Sequence, residues 1–226
     1  MTVSFREGLT RREAMTLAMA GGLLTVPGPA RAQGAKVKTS AHIVIAGAGA
    51  AGLAAAARLQ QRLDGAKITL IDARKAHYYQ PGFTLIAAGL KPAGYSVSAT
   101  RDYVPSGMEL IEDSVAEFDA PGNAVVTASG KRIAYDFLIV STGLVLDYAA
   151  IEGMDTKLIG KGGIGSVYAG PEAAEATYRE MSAFADKGGV GLFLRPATEM
   201  KCAGAPLKYT FITDDILRRR GNRGKA

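Results

Sequence analysis

The stretch Ala41 to Leu59, AHIVIAGAGAAGLAAAARL, leaves the chain few alternatives. A short apolar run, Ile43-Val44-Ile45-Ala46, stops at Gly47. Gly47, Gly49 and Gly52 then follow in G-x-G-x-x-G spacing, and an alanine-rich helical run begins at once. The order is strand, tight turn, helix, and each glycine has its own task. Gly47 lets the backbone turn, Gly49 leaves no side chain between the backbone and a pyrophosphate, and Gly52 lets the helix lie close on the strand. The helix N-terminus adds free N–H groups and a partial positive charge facing the phosphates. Small residues at this spacing also occur in plain helix–sheet packing, so the context matters. The next apolar run, Ile68-Thr69-Leu70-Ile71, ends on Asp72, 20 residues after Gly52. A ribose-binding carboxylate is expected there. The pattern predicts a dinucleotide site; a structural βαβ unit without ligand is the alternative.

A chain of 226 residues has room for one large domain or one and a half small ones. The single cysteine, Cys202, excludes an internal disulfide and a cysteine-rich zinc site, and only two histidines, His42 and His77, are present. No metal site is therefore expected. The net charge of +6 is unevenly placed: Arg218 to Ala226 carry five positive charges and no acid. Such a run can serve nucleic acid. No aromatic residue is interleaved in it, and cations suit a helix C-terminus. A solvated helix end is expected, and no nucleic-acid partner.

Residues 1–32 read as an export signal. Arg11-Arg12 lie in a Thr-Arg-Arg-Glu-Ala-Met context, the apolar run Ala14 to Val26 follows, and Ala30-Arg31-Ala32 precedes Gln33. Twin arginine, a modest apolar core and an A-x-A site compose a twin-arginine signal peptide, and the run is too short for an ordinary membrane span. Cleavage after Ala32 and a periplasmic mature chain are expected; an apolar N-terminal helix of the mature fold is the alternative. Twin-arginine export carries folded proteins, which suits a chain that loads a cofactor first.

The βαβ unit occupies Ala41 to Asp72, with Gly65 expected to stop its helix. A polar, aromatic loop follows, Ala73 to Gln80, and Pro81-Gly82 turns into a short helix from Phe83. This loop either covers the reactive end of a cofactor or is a surface loop anchored by its aromatics. Met108 to Ile111 reads as a strand, and Ala116 to Ala134 as a β-ribbon around Pro121-Gly122-Asn123. Phe137-Leu138-Ile139-Val140 reads as a buried strand ending on Ser141-Thr142-Gly143, another small-residue turn with backbone donors to offer. Pro171 to Ala185 is a helix closed by Gly188-Gly189. Gly191 to Leu194 reads as a further buried strand, Arg195 to Ala205 as a loop holding Cys202, and Leu207 to Arg220 as a last helix opened by Pro206. Strand, loop and helix are the start of a second α/β unit, and the sequence reads as cut within it.

At Tyr78-Tyr79-Gln80-Pro81-Gly82-Phe83-Thr84-Leu85, Ser141-Thr142-Gly143 and Lys201-Cys202-Ala203-Gly204-Ala205-Pro206-Leu207-Lys208, the chain resembles the sulfide:quinone oxidoreductases and the related flavocytochrome c sulfide dehydrogenases. These are flavoproteins with two dinucleotide-binding domains. The glycine and S-T-G motifs are shared by the whole superfamily, whereas the other two stretches are more specific. The resemblance, from about residue 41 onward, implies an α/β fold: a Rossmann-like, three-layer FAD-binding domain over 33–160 with a β-ribbon excursion, then an incomplete second domain over 161–226. It implies FAD as cofactor. Gly47, Gly49 and Gly52 would hold the pyrophosphate, Asp72 the adenosine ribose, and Val115 would lie by the adenine. Thr142 and Gly143 would flank the flavin, and Pro81 would lie near its ring. Cys202 would carry sulfane sulfur; on composition alone it is equally an inert small hydrophobe in a loop.

In a mechanism of this family, sulfide attacks a sulfur bridge between two cysteines, and the released thiolate passes two electrons to the flavin and thence to quinone. A reactive thiol needs its thiolate stabilised, and Lys201 with the helix opening near Pro206 supplies positive potential. The chain departs from the family in three respects. A second cysteine, the later flavin-contacting strand and the C-terminal quinone-facing helices are absent, and Leu207 stands where many members have glutamine. The expected function is sulfide oxidation with quinone as acceptor, with peripheral membrane contact through a C-terminal part. Delivery of electrons to a cytochrome c, or a truncated inactive flavin-binding remnant, are the alternatives, and FAD retained at well below one per chain is expected of this chain.

Overall fold

The computed structural model describes residues 35–196, 198, 200 and 202–226. The leader expected over 1–32 and Lys201 lie outside the described residues. After a short β1 (Val37–Lys38), the apolar run forms β2 (His42–Ala46) and the alanine-rich run forms α1 (Ala50–Arg62). The helix stops at Arg62, short of Gly65. Leu63 leaves the helix in an extended conformation, its side chain against the core, and β3 (Leu63–Asp64) pairs with β1. Gly65, at φ +88°, turns the chain into β4 (Lys67–Ile71).

The segment after β4 holds β5 (Ala76–Tyr78), the short helix α2 (Phe83–Ala87) and β6 (Val97–Ala99), with β5 and β6 paired antiparallel. The sequence reading missed that pair, because each strand is too short to show an alternation. Next come β7 (Glu109–Ile111) and the ribbon of β8 (Val115–Asp119), β9 (Ala124–Thr127) and β10 (Arg132–Ala134). Its Pro121-Gly122-Asn123 turn is where expected, with Asn123 at φ 45°, a conformation asparagine tolerates. Strand β11 (Phe137–Val140) closes the sheet.

β11, β2, β4 and β7 form one parallel sheet in that order. Alternation along its strands decides the layers. Ile43, Ile45, Ile68 and Leu70 face α1 through Leu53 and Ala56, whereas Val44 and Ile71 face the ribbon through Val125 and Ile133. Helix, sheet and ribbon are thus three layers, as expected. β11 is not the buried strand that its apolar run suggested. It lies at the sheet edge, where Phe137 and Val140 are exposed and only Leu138 and Ile139 are half-buried.

Helices α3 (Pro171–Lys187) and α4 (Ala205–Arg219) follow. The buried strand expected over Gly191 to Leu194 is not formed. The segment has no strand pairing, and Leu192 and Leu194 are 77% and 80% exposed. A strand needs a neighbour to take its backbone hydrogen bonds; here Phe193 instead rests against the Tyr209 ring. The basic C-terminal run pairs with acids: Arg218 with Asp214, Arg219 with Asp215, Arg220 with Asp186 and Arg223 with Asp214.

The later helices are tied to α2. Phe83, Ile86 and Ala87 pack with Ala174, Tyr168 and Tyr209, and the Tyr209 hydroxyl donates to the Ala87 carbonyl at 2.9 Å. Burial pushes that phenol well above its ordinary pKa. Tyr209→Phe is expected to lower stability by about 1 kcal/mol, the worth of one buried hydrogen bond, read as a fall in the urea midpoint without a change in slope.

Candidate functional site

Strand β2 has the next strand of the sheet, β4, on one side and the last, β11, on the other, so the strand order reverses at β2. In such a sheet a crevice opens beyond the carboxyl ends of the strands where the order reverses. The registers make those ends level, Ala46 lying opposite both Ile71 and Val140. Gly47, Asp72 and Ser141 therefore all leave the sheet at the same crevice.

The turn is built by close backbone contacts. Gly47, at φ +103°, donates its N–H to the Ile71 carbonyl at 2.8 Å, and a Cβ on it would overlap the Ser141 carbonyl. A Cβ on Gly52 would overlap the Gly47 carbonyl and stand 2.8 Å from Ser141 Oγ. The Ser141 hydroxyl donates to the Gly47 and Ala46 carbonyls at 2.9 and 3.1 Å, and its N–H donates to the Ala46 carbonyl at 2.8 Å. Gly49 is different. It is the N-cap of α1 with φ −75°, and a Cβ there would meet only the Arg74 guanidinium at 3.6 Å. No side chain caps this helix and no acid lies in its first turn, so its N–H groups and positive end face the crevice.

Asp72 stands beside the turn. Its Oδ2 accepts the Ala48 N–H at 2.8 Å, and its side chain is only 9% exposed. Burial pushes the carboxyl up. The hydrogen bonds from Arg74 and Ala48, and the guanidinium charge, outweigh that and hold it below the ordinary carboxylate value. Thr142 follows Ser141, with its Cα next to the place a Gly47 Cβ would take, and both Thr142 and Gly143 (φ +84°) are exposed. Val115 begins β8 and packs half-buried with Val44 and Ile71, just under the strand ends.

Pro81 and Cys202 stand on other elements, the turn into α2 and the opening of α4. Pro81 is exposed in the turn Gln80–Gly82 that leads into the buried Phe83. Cys202 is an exposed free thiol whose carbonyl accepts the Ala205 N–H at the opening of α4. Burial first, and then the Cys202 charge, push up the Tyr168 phenol, whose ring lies 6.0 Å from that of Phe83. The aromatic loop is anchored as one of its two readings expected, through ring contacts of Tyr78 with Phe83 and of Tyr79 with Tyr95. Among the described residues no group of acids, histidines and cysteine could hold a metal.

The sequence reading missed two residues. The Ser141-Thr142-Gly143 turn offers more than backbone donors, because the Ser141 hydroxyl locks the glycine turn. Arg74, in the polar loop, carries one local signal: an arginine two positions after a strand-end acid can fold back on it.

This crevice and its glycine turn place the chain in a known class. Residues 41–177 match the pyridine nucleotide-disulphide oxidoreductases, and the chain belongs to that family. Within it, the chain is similar to the mitochondrial sulfide:quinone oxidoreductase of Mus musculus, 36% identical over 189 residues, 84% of this chain and 41% of that protein. The enzyme of the same name from Dictyostelium discoideum is 37% identical over 192 residues, 84% of this chain and 42% of that protein. The solved sulfide:quinone oxidoreductase of Aquifex aeolicus shares the fold, with a TM-score of 0.62 at 24% identity, over 82% of this chain and 41% of that one. The chain thus spans about two fifths of the length of the curated relatives it matches.

The two inner glycines separate folding from binding. Gly52→Ala is expected to destabilise the chain by about 1–3 kcal/mol through overpacking. Gly49→Ala is expected to keep or slightly raise stability and to weaken dinucleotide binding. Thermal melts and flavin titration of the two variants check this.

Proposed function

We propose that the crevice holds FAD and that the chain is the flavin-binding and thiol-bearing part of an enzyme that oxidises sulfide and passes the electrons to quinone. The observation that carries the cofactor reading is the open space over Gly49. Nothing but a flexible arginine approaches it, while the neighbouring glycines are closed by backbone. The cradle fits a pyrophosphate on the uncapped helix end, with the buried Asp72 carboxylate one residue-width away for a ribose. In this reading Gly47, Gly49 and Gly52 shape the pyrophosphate seat, and Val115 lies by the adenine. Thr142, Gly143 and Pro81 attend the flavin side. Residues 33–160 form the cofactor part and 161–226 the part that presents the thiol.

FAD, when bound, supplies two-electron acceptance. This chain's own residues seat it, and Cys202 supplies a soft thiolate nucleophile for sulfur. The site of that thiol, two residues before the N-cap of a long helix, suits an anion. The relatives' names favour quinone over a cytochrome c as acceptor. Among the described residues no helix is long and apolar enough to cross a membrane, and any membrane contact is proposed as peripheral. Export by the twin-arginine route to the periplasm is part of the same proposal, supported by the Arg11-Arg12 and Ala30-Arg31-Ala32 pattern.

The cofactor reading is tested by incubating the purified chain with FAD: retained yellow colour and flavin absorbance are expected, and a colourless protein overturns the reading. For the thiol, the chain is joined to the part of a relative that it does not cover. Cys202→Ser is expected to slow sulfide-dependent bleaching of the flavin on the order of a hundredfold or more; unchanged bleaching removes Cys202 from the reaction. Export predicts a mature N-terminus at Gln33, read by N-terminal sequencing of periplasmic protein; a mature chain that keeps Met1 overturns it.

A further inference from the structure

The Asp72 carboxylate is already fully engaged by protein donors. Its Oδ1 accepts the Arg74 N–H at 2.8 Å and the Arg74 Nε at 3.3 Å. Its Oδ2 accepts the Ala48 N–H at 2.8 Å and an Arg74 terminal nitrogen at 3.2 Å. A carboxylate offers about four acceptor sites, so both oxygens are filled. The two backbone bonds are fixed by the strand end and the glycine turn. The two guanidinium bonds are not: the Arg74 side chain is 53% exposed, and among the described residues its charged end hydrogen-bonds to Asp72. Ribose hydroxyls that take the carboxylate must take the guanidinium's places.

The same terminal nitrogen, Nη2, lies 3.6 Å from where a Gly49 Cβ would stand, the nearest approach to that position. The guanidinium therefore spans from the ribose acceptor to the mouth of the phosphate seat. Its planar fork matches carboxylate and phosphate equally well. An arginine that loses one anion here has the next within a rotation of its side chain.

We propose that Arg74 is an exchange residue of the nucleotide site. It holds the Asp72 carboxylate in place, yields it to the ribose hydroxyls, and moves its hydrogen bonds to the adenosine-side phosphate. The inference rests on the dinucleotide reading of the crevice. It makes adenosine and its phosphates respond oppositely to the loss of one side chain. A ligand with ribose alone pays for displacing the guanidinium, whereas a ligand with phosphate regains it.

The test is calorimetric titration of the 226-residue chain and of Arg74→Ala with ADP and with adenosine, after circular dichroism shows the same fold. Arg74→Ala is expected to weaken ADP binding about tenfold or more, the scale of a lost charge-assisted hydrogen bond. It is expected to bind adenosine as tightly as the parent chain or more tightly. Equal weakening for both ligands overturns the exchange and reduces Arg74 to a support for Asp72. Unchanged ADP binding overturns it as well. A parent chain that binds neither ligand overturns the nucleotide reading and this inference with it, so the two failures are distinct.

Discussion

How closely backbone can pass backbone at the end of β2 sets everything at the functional end of this chain. The helix must begin where the strand stops, and the Ser141 strand end must arrive beside it. Gly47 and Gly52 leave no room for a Cβ, and the Ser141 hydroxyl bridges the two carbonyls that this crowding would otherwise leave facing one another. A glycine inside a helix costs about 1 kcal/mol relative to alanine, and Gly52 is the position where that cost brings helix and turn into contact. The unoccupied flank of Gly49 follows from the same geometry: with two glycines closed, the third faces outward.

The far end of the same strands is fixed by different means. Thr69 is fully buried, and its hydroxyl lies between the His42 ring at 2.9 Å and the Glu109 carboxylate at 3.2 Å, so adjacent strands β2, β4 and β7 share one polar line. Lys67 and Lys131 flank Glu109. Burial, and then the Lys67 charge, hold the His42 imidazole below its ordinary pKa. A polar line with a buried hydroxyl at its centre penalises a slip by one residue, which would strand the Thr69 hydroxyl and turn every apolar side chain to the wrong layer. The register that makes the opposite strand ends level is protected at both ends of the sheet.

Much of this was legible in the residues, for identifiable reasons. The βαβ unit, the ribbon turn and the helix of Pro171 have local signals: glycine spacing, a Pro-Gly-Asn turn, and a proline start with a glycine stop. The crevice at the strand ends was legible because its strand ends and turn residues are neighbours in sequence or carry one motif. What failed depended on partners. Phe137–Val140 and Gly191–Leu194 are both short apolar runs, yet one pairs along a sheet edge and the other pairs with nothing among the described residues. The β-branched Ile139 and Val140 favour a strand in the first, and Gly191 disfavours one in the second. The role of the Ser141 hydroxyl was invisible because the topology brings its carbonyl partners from about 95 residues away, whereas that of Arg74 rests on a side-chain rotamer that folds back on the nearby Asp72.

The position of Cys202 follows from the same dependence on partners. The stretch between β11 and α3 is rich in glycines of positive φ, and Leu144, Val145 and Leu146 are exposed along it. Such a linker does not fix a distance. Its later part lies on α3, where Gly160 and Gly165 meet Ala176 and Thr177 at contacts no larger residue would permit. The fixed connection runs through α2, which belongs to the excursion after β4. Phe83 and Ala87 receive Ala174, Tyr168 and Tyr209 from the later helices. The later helices are thus tied to the excursion after β4 by the packing of a five-residue helix in the aromatic loop. A change in the Phe83–Tyr168–Tyr209 contact acts on that tie directly, whereas a change at Gly160 or Gly165 acts on the seat of the linker against α3.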